Sequence, residues 1–187
     1  VRLPLARRGQ PRPAAAVGSG YSNQLTGEMN PPDPASLKLG DVLLYPARDL
    51  IGDIIAISTH GIWSHVEVVS GPNESIAARI QGVNYYPRDN SFRCVRRFNF
   101  PSGEYFDILA AKAALQDQIG KPYDIPGLFS FFDPWAKTKH VHRICSVIAN
   151  KFLVAGGATP FDPLADPNLI SPTDFWITGG LTTIWKG

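Results

Sequence analysis

The sequence predicts an α+β fold on two observations. From residue 37 to about residue 100, apolar residues alternate with polar ones in short runs broken by Gly, Pro, Asn and Asp, the period-two signature of strands. From residue 102 the apolar spacing changes to three, four and seven, the signature of helices, and no internal repeat is present. Strands followed by helices imply a small antiparallel sheet or half-barrel packed against helices.

Residues 1–36 stand apart from this pattern. Arg2, Arg7, Arg8 and Arg12 are basic, no acid precedes Glu28, and Pro and Gly recur through "NPPDPAS". Such a stretch buries too little apolar surface to offset the cost of ordering it, so it is expected to be an attachment arm for a protein partner with an acidic surface. The alternative is that it wraps its own domain. Residues 37–187 form that domain. "LKLGDVLLYPA" reads as a turn and a strand, "SHVEVVSG" as the next strand, "ESIAARIQGVNYYP" as a third with its own turn, and "FRCVRRFNF" as a fourth. In "SGEYFDILAAKAALQDQIGKPYD", Ile108, Leu109, Leu115 and Ile119 recur at helical spacing, with Ser102 as N-cap and Gly120 as the stop. A second helix runs from about Ile144 to Ala155 and ends at Gly156 and Gly157, and a Pro-, Gly- and Asp-rich tail closes with "ISPTDFW" and "LTTIW".

Composition narrows the function classes. The 187 residues carry 44% hydrophobic side chains, enough for one domain with a proper core. A formal charge of +2 is too mild for a nucleic-acid binder, and the aromatics are not interleaved with a Lys/Arg cluster. No apolar run reaches the roughly 18 residues of a membrane span, and the first residues lack the apolar centre of an export signal, so a soluble chain is expected. Since the first residue is Val rather than Met, processing or trimming of the chain is an expectation as well. Glycine-rich phosphate loops are absent. Two cysteines, Cys94 and Cys145, make neither a disulfide framework nor a four-thiolate zinc site.

Two features carry chemistry. In "GIWSHVEVVSG", His65 and Glu67 share one strand face while Val66 and Val68 take the other. A histidine there is commonly structural unless something else needs it. Cys145 stands at the start of the second helix, where unpaired N–H groups, the helix dipole and Arg143 favour a thiolate. A thiol with a free pKa of about 8.5 needs a base, and a base needs a group that holds its tautomer, so His65 and Glu67 fit the two posts beside Cys145. The plain alternative for both cysteines is a small buried hydrophobe, and it is the expected state of Cys94.

"GDVLLY", "WSHVEVVSG", "GV" with "YYP", "IGKPYD", "ICSVIANKF" and "SPTDF", in that order, resemble the circularly permuted, YiiX-type branch of the NlpC group of papain-like thiol hydrolases. In that branch the histidine strand precedes the cysteine helix, as here, and the resemblance spans about residues 37–176. It implies Cys145 as nucleophile and His65 as general base. In many relatives the third polar residue lies on the following strand, but here that stretch is "IAAR" around Ala77, a departure. Glu67 is the substitute, provided that residues two apart on one strand can meet. Tyr123 matches a tyrosine recurring in the branch and, with Trp63, is expected to bind substrate. The resemblance further implies cleavage of amide bonds through an acyl-cysteine, with peptidoglycan peptides as substrate and no cofactor. Joined to the arm, it suggests a hydrolase carried on a bacteriophage tail or baseplate. The competing readings are a structural virion component with a vestigial site, a lipid acyl hydrolase or acyltransferase, and a zinc site using His140 and His142 of "HVH".

Overall fold

The computed structural model describes residues 31–48, 50–125 and 144–187. Most of the expected arm therefore lies outside the described residues. Its last part, Pro34–Ser36, is a short 3-10 turn capped by the Asp33 side chain, and the carbonyls of Pro34 and Ser36 accept from Arg88 and Arg97 of the domain.

Six strands form one open antiparallel sheet: β1 (Val42–Pro46), β2 (Trp63–Gly71), β3 (Glu74–Arg79), β4 (Gly82–Pro87), β5 (Cys94–Phe98) and β6 (Leu181–Lys186). Their order is β4-β3-β2-β1-β5-β6. The first four make a meander, and β5 returns to the free side of β1 and pairs there with Leu44↔Cys94 and Val42↔Arg96. Four helices are described: α1 (Leu50–Ser58), α2 (Ile108–Leu115), α3 (Cys145–Ala155) and α4 (Pro172–Ile177). The class is α+β, as the order of periodicities predicts.

Two local expectations need correction, and one helix is added to them. The stretch "ESIAARIQGVNYYP" is two strands, β3 and β4, because Gly82 takes a positive φ of 111° and reverses the chain. Helix α1 was not foreseen: "LIGDIIAIS" carries a mid-helix Gly and four isoleucines, both of which argue against a helix locally, yet packing against β2 sustains it. The N-cap of α2 is Asp107, not Ser102, since Asp107 accepts from the N–H groups of Leu109 and Ala110, each at 3.0 Å. Starting the helix there turns Ala111 and Leu115 inward and leaves Leu109 exposed.

The alternation in β1 divides the interior. Val42 and Leu44 join Val66, Val68, Ile76 and Ala78 in a core against α3, whose Ile148, Ala149 and Phe152 are fully buried. Leu43 and Tyr45 turn to the other side with Val69, Phe92, Val95 and Trp185, where Phe92 meets Trp185 edge to face at 5.7 Å. His65 and Glu67, paired with Tyr45 and Leu43, belong to this second face.

Two contacts fix the segment that leads toward α3. The Val83 N–H donates to the Lys121 carbonyl at 2.9 Å, and the Gly120 N–H donates to the Val83 carbonyl at 2.8 Å. A Cβ at Gly82 would stand 2.7 Å from the Lys121 carbonyl oxygen, so the close approach requires glycine as much as the φ does. Gly82→Ala is therefore expected to lower unfolding free energy by about 1–3 kcal/mol in urea denaturation, through strain and loss of this bridge.

Candidate active site

Helix α3 begins at Cys145, with Ile144 as an N-cap that offers no side-chain hydrogen bond. Its first N–H groups are thus left for another acceptor. The helix packs against β2, β3 and α2, and its start comes up to β2 where the sheet is incomplete. β3 pairs with β2 from Gly71↔Glu74 to Val68↔Ile76, and the ladder stops there. Beyond that point the Val66 N–H donates to the Cys145 sulfur, as does the N–H of Ser146. The end of the ladder thus leaves the Val66 N–H for the sulfur.

His65 hydrogen-bonds the same sulfur through its side chain. Its Nε2 lies 3.1 Å from Glu67 Oε1, which leaves Nδ1 as the ring nitrogen for Cys145. Side chains two apart on a strand can thus meet, because both reach outward on one face and the carboxylate folds back along the strand. Glu67 is 1% exposed and is surrounded by donors. Arg79 donates Nε to Oε1 at 2.8 Å and places Nη2 2.6 Å from the same oxygen. The Ser75 hydroxyl and, at 3.2 Å, the Tyr45 hydroxyl donate to Oε2. The Tyr45 hydroxyl is also within 3.0 Å of the Asp89 carbonyl, and its ring lies beside the imidazole at 5.6 Å.

These contacts set the charges. Burial pushes the Glu67 carboxyl up, but hydrogen bonding and charge from His65, then Ser75 and Arg79, outweigh it and bring the pKa down to about 2. For Cys145, burial disfavours the thiolate, while the His65 charge and hydrogen bond and the two backbone N–H groups lower the thiol below its ordinary range. Burial likewise opposes the imidazolium, yet the Cys145 sulfur and then Glu67 lift His65 to about 10; its side chain keeps 25% exposure. A thiolate and an imidazolium, rather than a thiol and a neutral ring, are the favoured pair.

Tyr123 also reaches the site. Burial and the adjacent Cys145 raise its hydroxyl well above the ordinary tyrosine range, and that hydroxyl hydrogen-bonds the sulfur. Trp63 is placed differently from a cleft-lining residue: it is 2% exposed and packs against Trp176 with ring centroids 5.8 Å apart and planes tilted by 50°, in the core against the helices. The register shift between Tyr45 and Pro46 accounts for this, since it turns Trp63 off the face of His65. Cys94 is buried and its thiol is pushed up to about 11 by burial, the state expected of an inert cysteine. His60 closes α1 at φ 51°. Arg143, expected to add charge beside Cys145, lies outside the described residues.

Sequence reasoning passed over Tyr45, Ser75 and Arg79. The position near Ala77 is apolar, but its neighbours two residues either way, Ser75 and Arg79, share its face and supply the polar contacts. The signal was the alternation in "ESIAAR", which puts Ser, Ala and Arg on one side.

No family model and no curated protein matches the chain. Among solved structures it is similar to YiiX from Escherichia coli O157:H7, described as a metalloprotein, DUF1105, with a TM-score of 0.55 at 19% identity. The likeness covers 80% of this chain and 97% of that one. At this identity it is a likeness of fold, and the mixed α+β fold here is YiiX-like.

The acidity of Glu67 has a measurable consequence. Its folded-state pKa lies below the unfolded value, so the stability it contributes is present above about pH 4.5 and is lost as pH falls toward 2. The loss across that window is expected to be about 3 kcal/mol in denaturant titrations. Glu67→Gln should be less stable at neutral pH and show a flatter dependence over the same range.

Proposed function

We propose that the protein is a thiol hydrolase of the permuted NlpC type, cleaving amide bonds through an acyl-cysteine. The observation that carries this reading is the Cys145 sulfur at a helix start, hydrogen-bonded by His65, which in turn is held by the buried Glu67. The order of the six sequence motifs and the YiiX-like fold support the family assignment.

The chemistry follows from the charges. The Cys145 thiolate attacks a substrate carbonyl carbon, and the developing oxyanion takes the backbone N–H of Cys145 at the start of α3, with the Tyr123 hydroxyl alongside. Collapse of the tetrahedral adduct breaks the C–N bond as His65 Nδ1 gives its proton to the leaving amine. Water then loses a proton to the neutral imidazole and attacks the thioester, releasing the acid and restoring thiolate and imidazolium. Glu67 keeps Nε2–H engaged throughout and remains ionised.

YiiX is described as a metalloprotein, and a metal needs a convergent set of donors. Among the described residues no group of three or more His, Cys, Asp or Glu side chains is arranged to hold an ion. Glu67, the carboxylate at the site, has both oxygens engaged and an arginine against one of them, an arrangement that repels a cation. These residues do not fit a metal; His140 and His142 lie outside the described residues.

Peptidoglycan peptides are the proposed substrate, with residues 1–36 as the attachment to a larger assembly such as a phage tail. The family's two substrate classes, cell-wall amides and lipid acyl esters, separate in one experiment. Purified peptidoglycan and phospholipid vesicles are each incubated with the full chain, and products are identified by mass spectrometry. New amine termini are expected from peptidoglycan; fatty acid release alone would move the reading to lipid esters, and no product from either would remove it. Cys145→Ala should abolish turnover and His65→Ala should lower it roughly 100-fold or more. Glu67→Gln should cost less than Cys145→Ala.

A further inference from the structure

We propose that Arg79 is a positioning residue of this site, acting through Glu67: its guanidinium pins the carboxylate oxygen that receives the Nε2–H of His65. The inference rests on the thiol-hydrolase reading and concerns a residue outside the Cys–His–carboxylate set.

The geometry is specific. Arg79 contacts Oε1 through Nε at 2.8 Å and Nη2 at 2.6 Å, and His65 uses that same oxygen at 3.1 Å. Ser75 and Tyr45 occupy Oε2, so the carboxylate is gripped from β3 on one side and β1 on the other. Without Arg79, the two hydroxyls hold one oxygen only, and the other can swing about that anchor away from the ring. The guanidinium is itself fixed by the Tyr86 ring of β4, 4.4 Å below it. Among the described residues, Arg79 and His65 are the cationic groups paired with Glu67.

A charge at this place has two opposed effects on His65. As a positive group, Arg79 repels the imidazolium through a shared oxygen. As a clamp, it holds the negative group that the imidazolium needs. If charge alone mattered, weakening Arg79 would raise the His65 pKa; if position matters, the pKa falls because Glu67 leaves the ring. The titratable groups around the site are Tyr45 from β1, His65 from β2, Arg79 from β3, Tyr86 from β4, Tyr123 before α3 and Cys145 from α3. Asp89 acts on Tyr45 and Asp124 on Tyr123.

The test is a histidine-ring NMR titration of the full chain, with His65 assigned among the four histidines by His65→Gln. Arg79→Lys keeps the charge and loses the two-donor grip. The His65 midpoint is expected to fall by about one pH unit in this variant. Tyr86→Leu leaves the guanidinium but removes its platform, and a smaller downward shift is expected; it decides the matter if Arg79→Lys does not fold. An unchanged or raised midpoint overturns the proposal, even if thermal stability drops, because a purely structural arginine would lower stability without moving the titration. Failure of the underlying reading looks different: wild-type His65 would then titrate near the ordinary value of about 6.5.

Discussion

A carboxylate taken out of water loses several kcal/mol of hydration, and it persists as an anion only where donors replace what water supplied. Glu67, 1% exposed, meets that condition with a cationic pair and two hydroxyls, and its donors come from three strands. This one requirement ties Tyr45 of β1, His65 of β2 and Ser75 and Arg79 of β3 into a fixed arrangement. Strand pairing brings those residues together, and the buried charge gives the pairing its polar centre. The imidazole inherits its orientation from this centre, with one ring nitrogen committed to the carboxylate and the other left for sulfur.

The second half of the site is delivered by a helix rather than a strand. Cys145 sits at the start of α3 because Ile144 is the last extended residue, and the apolar face of Ile148, Ala149 and Phe152 docks the helix against β2 and β3. The interrupted ladder between those strands leaves the Val66 N–H for the sulfur. A complete ladder would have used that donor within the sheet. The core and the site are therefore coupled: the same docking that buries Phe152 sets the thiolate among its donors. The bridge from Val83 to Gly120 and Lys121 ties the segment carrying Tyr123 to β4, so the hydroxyl near the sulfur also depends on the sheet.

Where sequence reasoning and structure part, the cause is long-range packing. Helix α1 has poor local credentials, yet contact with β2 sustains it. Trp63 alternates in phase with His65 in the sequence, but an irregularity in the β1–β2 register carries it into the helix-side core against Trp176. Asp107 outcompetes Ser102 as cap because it stands two and three residues ahead of the N–H groups it accepts from.

The sequence by itself determined the α+β class, β1, β2 and β5 as single strands, the extent of the cysteine helix, and Cys145 with His65 as the residues to watch. The elements follow from periodicity and helix-stop glycines, which are local, whereas the Cys145–His65 pair rests on the chemistry of a thiol at a helix start together with the resemblance carried by the order of six motifs. Tertiary structure alone decided that the Glu67 carboxylate reaches the ring, that Arg79, Ser75 and Tyr45 hold it, and that Val66 serves the sulfur. Those outcomes depend on which strands lie side by side and where a ladder ends, and residues separated by 8 to 22 positions in the chain meet only after the sheet has formed.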